Sequence, residues 1–389
     1  MSLWWARKEQ LDKHQVDLIE NLPLHGSHLV LGPPGSGKTN VLLRRAQFVR
    51  SQDMPNVLVL TFTRALTEFV KTGCYDAAGR EIFPPTLVTT LESWIRDLYL
   101  QHGVAVPDDP DMSARKAAMA EGALPFAVEG RVPQYDAIFV DEAQDLMPQE
   151  VALIAAFSSN MFFVGDDRQR IFEHTRGLVA VRGVMPAPGE HTLPFHYRLV
   201  REVCYMADRI QSAIGGQTLA ATSHYDGPKP GRIEIKGPLS KDEQVSELLE
   251  RLKDQVRVYS DMIQLGDRIG VIVARTADRD ELFQVFQEDD ALAGKSQVLR
   301  ARTGDEDDRG FNPAFDPECP ISIMTVQACK GLEFRAVHWL FCDELSHHHN
   351  LEHYYTVVTR AKTRLDISYT TKLPPPLARS YSPPPAELW

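Results

Sequence analysis

A chain of 389 residues, 43% hydrophobic, can bury two or three sizeable cores, and its formal net charge of -11 argues against a nucleic-acid-binding surface spread over the whole molecule. No apolar run is long enough to cross a bilayer, and Met1-Ser2-Leu3-Trp4-Trp5-Ala6-Arg7 lacks the basic-then-apolar layout of a secretion signal, so a cytoplasmic protein without a membrane partner is expected. The five cysteines, Cys74, Cys204, Cys319, Cys329 and Cys342, show no C-x-x-C spacing and read as reduced thiols rather than a disulfide framework or zinc site. Much of the acid falls in runs that read as solvated loops, Asp108-Asp109 with Asp111, Glu288-Asp289-Asp290 and Asp305-Glu306-Asp307-Asp308, which leaves room for a local basic groove.

The first strand expected, His28 to Leu31, runs into Gly32-Pro33-Pro34-Gly35-Ser36-Gly37-Lys38-Thr39 and then into a helical pattern beginning Val41, Leu42, Leu43. This spacing is that of a phosphate-binding loop. Gly32, Pro33, Gly35, Ser36 and Gly37 let backbone N–H groups wrap a polyphosphate, Lys38 reaches the β/γ-phosphates, and the Thr39 hydroxyl can ligate Mg²⁺. Further short apolar runs follow at Val57 to Phe62, Leu87 to Thr90, Ala137 to Val140 and Phe162 to Val164, alternating with helical patterns as a parallel sheet requires. The run at Ala137 ends in Asp141-Glu142-Ala143-Gln144-Asp145, where a strand of an α/β sheet delivers its ligand site. Asp141 is suited to hold Mg²⁺ and Glu142 to orient and deprotonate an attacking water; the competing reading is a plain helix N-cap, a minority one beside an upstream phosphate loop.

The second half repeats the alternation at Arg232 to Ile235, Ile269 to Val273, Ile321 to Thr325, Val337 to Phe341 and Leu365 to Tyr369. Of two proline-containing connectors, Met185-Pro186-Ala187-Pro188-Gly189 is the expected lobe boundary, and Gly227-Pro228-Lys229-Pro230-Gly231 leads into a strand of the second lobe. The tail, with Pro374-Pro375-Pro376 and Pro383-Pro384-Pro385, reads as extended and poorly packed. His347-His348-His349 reads as an exposed loop, since adjacent histidines rarely converge on a metal.

From about Leu11 to Tyr369 the chain resembles the UvrD/Rep/PcrA-type branch of superfamily 1 DNA helicases, because further motifs recur in that family's order. Leu11-Asp12-Lys13-His14-Gln15 is similar to the Q motif, which implies that Gln15 reads adenine. Thr61-Phe62-Thr63-Arg64 and Thr89-Thr90-Leu91-Glu92-Ser93-Trp94 resemble strand-end motifs that meet nucleic acid. Gly165-Asp166-Asp167-Arg168-Gln169 resembles motif III, implying that Gln169 senses the γ-phosphate. In the second half, Phe195-His196-Tyr197-Arg198 implies stacking of Tyr197 on adenine and Arg198 at the γ-phosphate. Thr325 to Phe334 resembles motif V, with a ribose contact for Glu333, and Tyr355 to Ala361 resembles motif VI, with Arg360 as an arginine finger. A finger arginine supplies positive charge to the transition state of phosphoryl transfer, worth on the order of 10³ to 10⁵ in rate.

The resemblance implies an α/β fold of two RecA-like P-loop NTPase lobes, parallel sheets flanked by helices, with Mg-ATP in the cleft between them and hydrolysis driving closure. It implies single-stranded DNA as the track, moved with 3′ to 5′ polarity, and DNA contacts at Phe62, Thr63, Arg64, Thr90, His174, Arg275 and Thr325. Phe62 keeps two readings of nearly equal weight, a stacking platform or a core residue at a strand end. Residues 1–99 and 133–188 would form the first lobe, 100–132 a reduced 1B insertion, 189–372 the second lobe, with a short acidic loop at 302–320 in place of 2B, and 373–389 the proline-rich tail. With the duplex-handling insertions pared down, a second expectation stands beside the translocase: an ATP-dependent DNA-sensing or regulatory subunit acting on a protein partner such as a nuclease. His174 stands where the family carries tryptophan, and Asn40 where it commonly carries an arginine on the nucleotide, so a weaker grip on bases and a modest nucleotide affinity are expected.

Overall fold

The computed structural model describes residues 5–128, 135–166, 176–185, 189–211, 218–227, 230–300, 316, 319–345 and 351–381. The chain divides into two compact units, one spanning Trp5–Pro194 and the other running from Phe195 onward. Each is built on its own six-stranded sheet. Every strand pairing in both sheets is parallel, so both units are α/β as expected.

In the N-terminal unit the strands are β1 (His28–Leu31), β2 (Val57–Thr61), β3 (Val88–Thr90), β4 (Ala137–Val140), β5 (Met161–Gly165) and β6 (Glu190–Thr192), in the order β3-β2-β4-β5-β1-β6. Strands β2, β4 and β5 are buried at every position, which is why they read as continuous apolar runs without alternation. The helices are α1 (Lys13–Val16), α2 (Lys38–Arg50), α3 (Arg64–Thr72), α4 (Leu91–His102), α5 (Met112–Val128), α6 (Pro148–Phe157) and α7 (Gly177–Val184). Because all the strands point the same way, the segments after β1, β2, β3, β4 and β5 emerge along one edge of the sheet. Every N-terminal motif singled out in the sequence downstream of Gln15 starts there.

Strand β6 lies past the proline connector. The N–H of Leu29 donates to the carbonyl of Gly189 and that of Leu193 to Leu31, so backbone pairing with β1 keeps this stretch in the first unit. The boundary expected after residue 188 therefore moves to Pro194, because a polar Glu-His-Thr edge strand carries no apolar signature.

Residues 100–132, expected as a reduced insertion, contain the end of α4 and all of α5. Met119, Ala120, Ala123 and Phe126 of α5 join the same core as Trp94, Leu98, Tyr99, Ile154 and Phe157. The contact is close: the Tyr99 hydroxyl donates to the Met119 carbonyl at 3.0 Å, and a Cβ on Gly122 would fall 2.2 Å from that hydroxyl. A glycine is required at this point for the helix to lie against the ring.

The C-terminal unit contains α8 (Arg201–Ile210), β7 (Arg232–Lys236), α9 (Lys241–Val258), α10 (Ser260–Gln264), β8 (Ile269–Val273), α11 (Thr276–Glu288), β9 (Ser296–Leu299), β10 (Ile321–Thr325), β11 (Phe334–Trp339), α12 (Leu351–Val358), β12 (Ala361–Ser368) and α13 (Pro375–Ser380). Its sheet order is β7-β12-β11-β8-β10-β9. Strand β9, like β6, is an edge strand that the sequence pattern does not announce.

Helix α13 corrects the expectation for the tail. Pro374 is its N-cap, and Pro375 and Pro376 occupy its first positions, where a missing N–H costs nothing. Leu377 and Ser380 are buried, and an Arg209 guanidinium N–H donates to the Ser380 carbonyl at 3.2 Å. The second proline run lies outside the described residues, as do most of the acidic loop expected at 302–320 and His347 to His349. Among the described residues no helix is long and apolar enough to cross a membrane.

Candidate active site

The phosphate loop leaves β1 at Gly32 and enters α2 at Lys38. Gly37 is the N-cap of α2 with φ +82°, a left-handed conformation that a side chain strains, and a Cβ there would stand 2.6 Å from the Gln15 amide nitrogen. Gln15, 4% exposed, donates from Nε2 to the Ser36 carbonyl at 2.9 Å, while its Oε1 accepts from the Asp12 N–H at 3.0 Å. Both ends of the side chain thus tie the N-terminal segment to the loop. The Lys38 ammonium donates to the carbonyls of Gly32 and Pro33 at 2.7 and 3.0 Å, inside the turn it is expected to serve. Asn40 accepts from the Ala6 N–H at 3.2 Å, which gives that departure from the family pattern a structural use.

Behind the loop, α2 is held by a buried cation. Arg45 is 2% exposed and donates to the carbonyls of Ile19, Leu22 and Pro23, which lie at the end of the segment following α1. Burial pushes its guanidinium down to about 10, still charged at neutral pH.

Thr39 and Asp141 are far apart in sequence and meet directly: the Thr39 hydroxyl donates to Asp141 Oδ2 at 2.8 Å. Asp141 sits at the end of β4, 3% exposed, and its other oxygen accepts the Glu142 N–H at 2.8 Å. Burial, and next the charge of adjacent Glu142, hold the Asp141 carboxyl above the usual carboxylate range. A hydroxyl and a buried carboxylate converging as hard oxygen donors fit Mg²⁺, which takes one or two protein oxygens and fills its octahedron with water and phosphate. Among the described residues no group of three or more histidines, cysteines or acids could hold a metal ion.

Glu142 adopts φ +54°, a left-handed backbone conformation at a non-glycine residue, which turns the chain sharply after β4. Its carboxylate accepts a hydrogen bond from Gln144 Nε2. Gln144 is 1% exposed, and its Oε1 accepts the Asp166 N–H at 3.0 Å, so one amide joins the ends of β4 and β5. The sequence reading gave Gln144 no role, although it stands inside the acidic motif. Gln169 and His174 lie outside the described residues.

The remaining strand-end residues are placed as follows. Thr63 and Thr90 are buried, and their hydroxyls cap α3 and α4 by accepting from Leu66 N–H at 3.2 Å and Ser93 N–H at 3.0 Å. Arg64 is the first residue of α3 and half-buried. Phe62 is half-buried too, with the Lys116 ammonium of α5 4.5 Å from its ring centroid.

In the C-terminal unit the expected cations form a second cluster. Arg198 Nη1 lies 2.5 Å from Glu333 Oε2, and Nη2 donates to the Thr359 carbonyl at 3.3 Å. Arg360, 2% exposed, donates from Nε to Thr356 O at 2.9 Å, from Nη1 to Leu332 O at 2.8 Å and from Nη2 to the Thr359 hydroxyl at 3.2 Å. Three segments distant in sequence are therefore joined through their arginines. Burial alone would raise the Glu333 carboxyl, but the Lys362 and Arg198 charges overcome it and hold the group at about 2. Tyr197, beside Arg198, is 37% exposed and meets His224 edge-on. Thr325 is buried at the end of β10, and exposed Arg275 pairs with Glu344 at 3.3 Å.

Residues 15–175 match the family model described as an AAA domain, under half of the chain. The N-terminal unit accordingly carries a P-loop nucleotide-binding domain. A stretch of 105 residues is 34% identical to the F-box DNA helicase 1 of Gallus gallus, covering 26% of this chain and 10% of that protein. The chain thus spans about a tenth of the length of that relative. A solved structure of the PRRSV helicase is 14% identical, with a TM-score of 0.42 over 92% of this chain and 54% of that one.

Proposed function

We propose that the protein is a Mg-ATP hydrolase of the superfamily 1 helicase type that moves along single-stranded DNA, with 3′ to 5′ polarity taken from the family resemblance. The observation that carries this reading is the junction of Thr39 with Asp141, which brings the phosphate loop and the acidic motif to one point beside Glu142. In this reading Lys38 leaves its loop carbonyls for the β/γ-phosphates, Thr39 and Asp141 hold Mg²⁺, and the ion offsets negative charge on the phosphates. Glu142, fixed by Gln144, orients the attacking water and takes its proton. Gln169 would sense the γ-phosphate, Gln15 and Tyr197 would receive adenine, and Glu333 would meet the ribose. Arg198 and Arg360 would bring positive charge to the transferred phosphoryl group.

The half-exposed Phe62 supports a base-stacking contact with DNA, with Arg64, Thr63, Thr90, His174, Arg275 and Thr325 along the strand. The capped hydroxyls of Thr63 and Thr90 fit a backbone contribution at those positions better than a side-chain one. The packing of α5 into the first unit's own core favours a protein with little duplex-splitting machinery. It therefore keeps the second reading open: the same cycle used to regulate a partner such as a nuclease. The test is ATP hydrolysis measured with single-stranded, duplex and tailed DNA. A translocase is stimulated many-fold by single strands; a rate unchanged by any DNA overturns the reading. Unwinding of a tailed duplex by the chain alone would remove the regulatory alternative.

A further inference from the structure

In the C-terminal unit, five side chains from four segments alternate in charge: Arg198, Glu333, Lys362, Asp267 and Arg335, with Glu333 and Arg335 both at the start of β11. Arg198 meets one oxygen of Glu333, and Lys362 meets the other at 3.1 Å. The same ammonium lies 2.7 Å from Asp267 Oδ1, and Arg335 donates from Nε to Asp267 Oδ2 at 2.9 Å. Asp267 is fully buried, and Lys362 and Arg335 are 8% and 7% exposed. The chain begins and ends on a cation, with one more positive than negative group.

That parity has a consequence for Arg198. A buried carboxylate stripped of its only cation is costly, so an arginine paired to it resists leaving. Here, if Arg198 departs, Glu333 retains Lys362 and Asp267 retains Arg335, and the four groups left behind are neutral in sum and still paired. We propose that Lys362 is a positioning residue whose shared ammonium allows Arg198 to exchange Glu333 for the terminal phosphate of a bound nucleotide. This rests on the functional reading above, in which Arg198 meets that phosphate. Lys362 acts by keeping Glu333 compensated. Asp267 in turn holds the lysine within reach of Glu333.

The experiment compares Mg-ATP hydrolysis by the full chain, and its affinity for a fluorescent ATP analogue, in the unsubstituted protein and in Lys362→Met, Lys362→Arg, Glu333→Gln and the double variant Lys362→Met with Glu333→Gln. Coupling within one ion-pair network is worth on the order of twofold to a hundredfold, with about tenfold in the middle of that range. Lys362→Met is expected to lower kcat by about that factor while analogue affinity changes less than about threefold, and Lys362→Arg to recover most of the loss. In the Glu333→Gln background, where no carboxylate is stranded, Lys362→Met should cost less than about twofold. An equal loss in both backgrounds, or none in either, overturns the proposal while leaving the hydrolase intact. Absence of hydrolysis in the unsubstituted chain overturns the functional reading, and this inference with it.

Discussion

The two units share an architecture and differ in how they handle charge. The N-terminal site concentrates acid: Asp141 and Glu142 are adjacent and buried, and Lys38 is occupied by loop carbonyls. The C-terminal site interleaves opposite charges, so that Glu333 is held at about 2 by its cations. On the proposed function, the first would take up added charge from a cation and a polyphosphate, and the second would rearrange charge among partners already present. The first site lies past the carboxyl ends of its strands, whereas Asp267, Glu333 and Lys362 stand at the starts of β8, β11 and β12.

The sharpest way to break the comparison is to remove the N-terminal chemistry. Lys38→Ala should lower ATP turnover by about 10² to 10³, the scale of losing one preorganised charge-stabilising group, and Glu142→Gln by about 10² to 10⁴. Steady-state hydrolysis checks both. Turnover within a few-fold of the unsubstituted chain would place the chemistry elsewhere.

Next in size is a packing effect confined to the C-terminal unit. Leu377→Ala on α13 should destabilise that unit by about 2–5 kcal/mol, the range for a buried leucine. Urea unfolding is the measurement, and a change under about 0.5 kcal/mol would return α13 to the status of a loose tail.

Acid should weaken the C-terminal unit through His338. Burial holds His338 at about 4, below the ordinary 6.5, with Asp366 opposing the shift. Between those values the unfolded chain takes up a proton that the fold refuses, so stability falls as pH drops from about 6.5 towards 4, by roughly 2–3 kcal/mol at most. Glu333 adds a further decline as pH passes from about 4.5 to 2. Denaturant midpoints against pH should show the first decline, and His338→Gln should flatten it. A slope unaltered by that substitution would assign the acid sensitivity to other groups.

The smallest expected effect concerns Gln144. Gln144→Met keeps volume but loses the link from Glu142 to the Asp166 backbone, and kcat should fall by about tenfold with little change in nucleotide affinity. A changed affinity with normal kcat would mean that Gln144 shapes the pocket rather than the base.

Much of the fold was legible because central parallel strands must be apolar on both faces, so β1, β2, β4, β5, β8 and β10 stand out as short runs followed by chemistry. The edge strands β6 and β9 did not, since each pairs with one neighbour and Glu190, Thr192 and Gln297 carry no apolar signal. Helix α13 was hidden by its prolines, which propensity counts against a helix although the first turn tolerates them. Boundaries suffered for the same reason: a proline connector looks like an end, while backbone pairing with β1 carries the sheet beyond it.

For the candidate site, local spacing pointed to the phosphate loop and the acidic strand end, because each is a short segment whose chemistry depends on its immediate neighbours, whereas Arg198 and Arg360 were singled out only by the resemblance to a known family. Tertiary structure decided everything that depends on distant pairs: Thr39 against Asp141, Gln15 on the loop, Gln144 bridging two strands, and Lys362 shared between Glu333 and Asp267. Coulomb and hydrogen-bond energies act over a few ångströms of space regardless of separation along the chain, so no periodicity in the sequence could announce them.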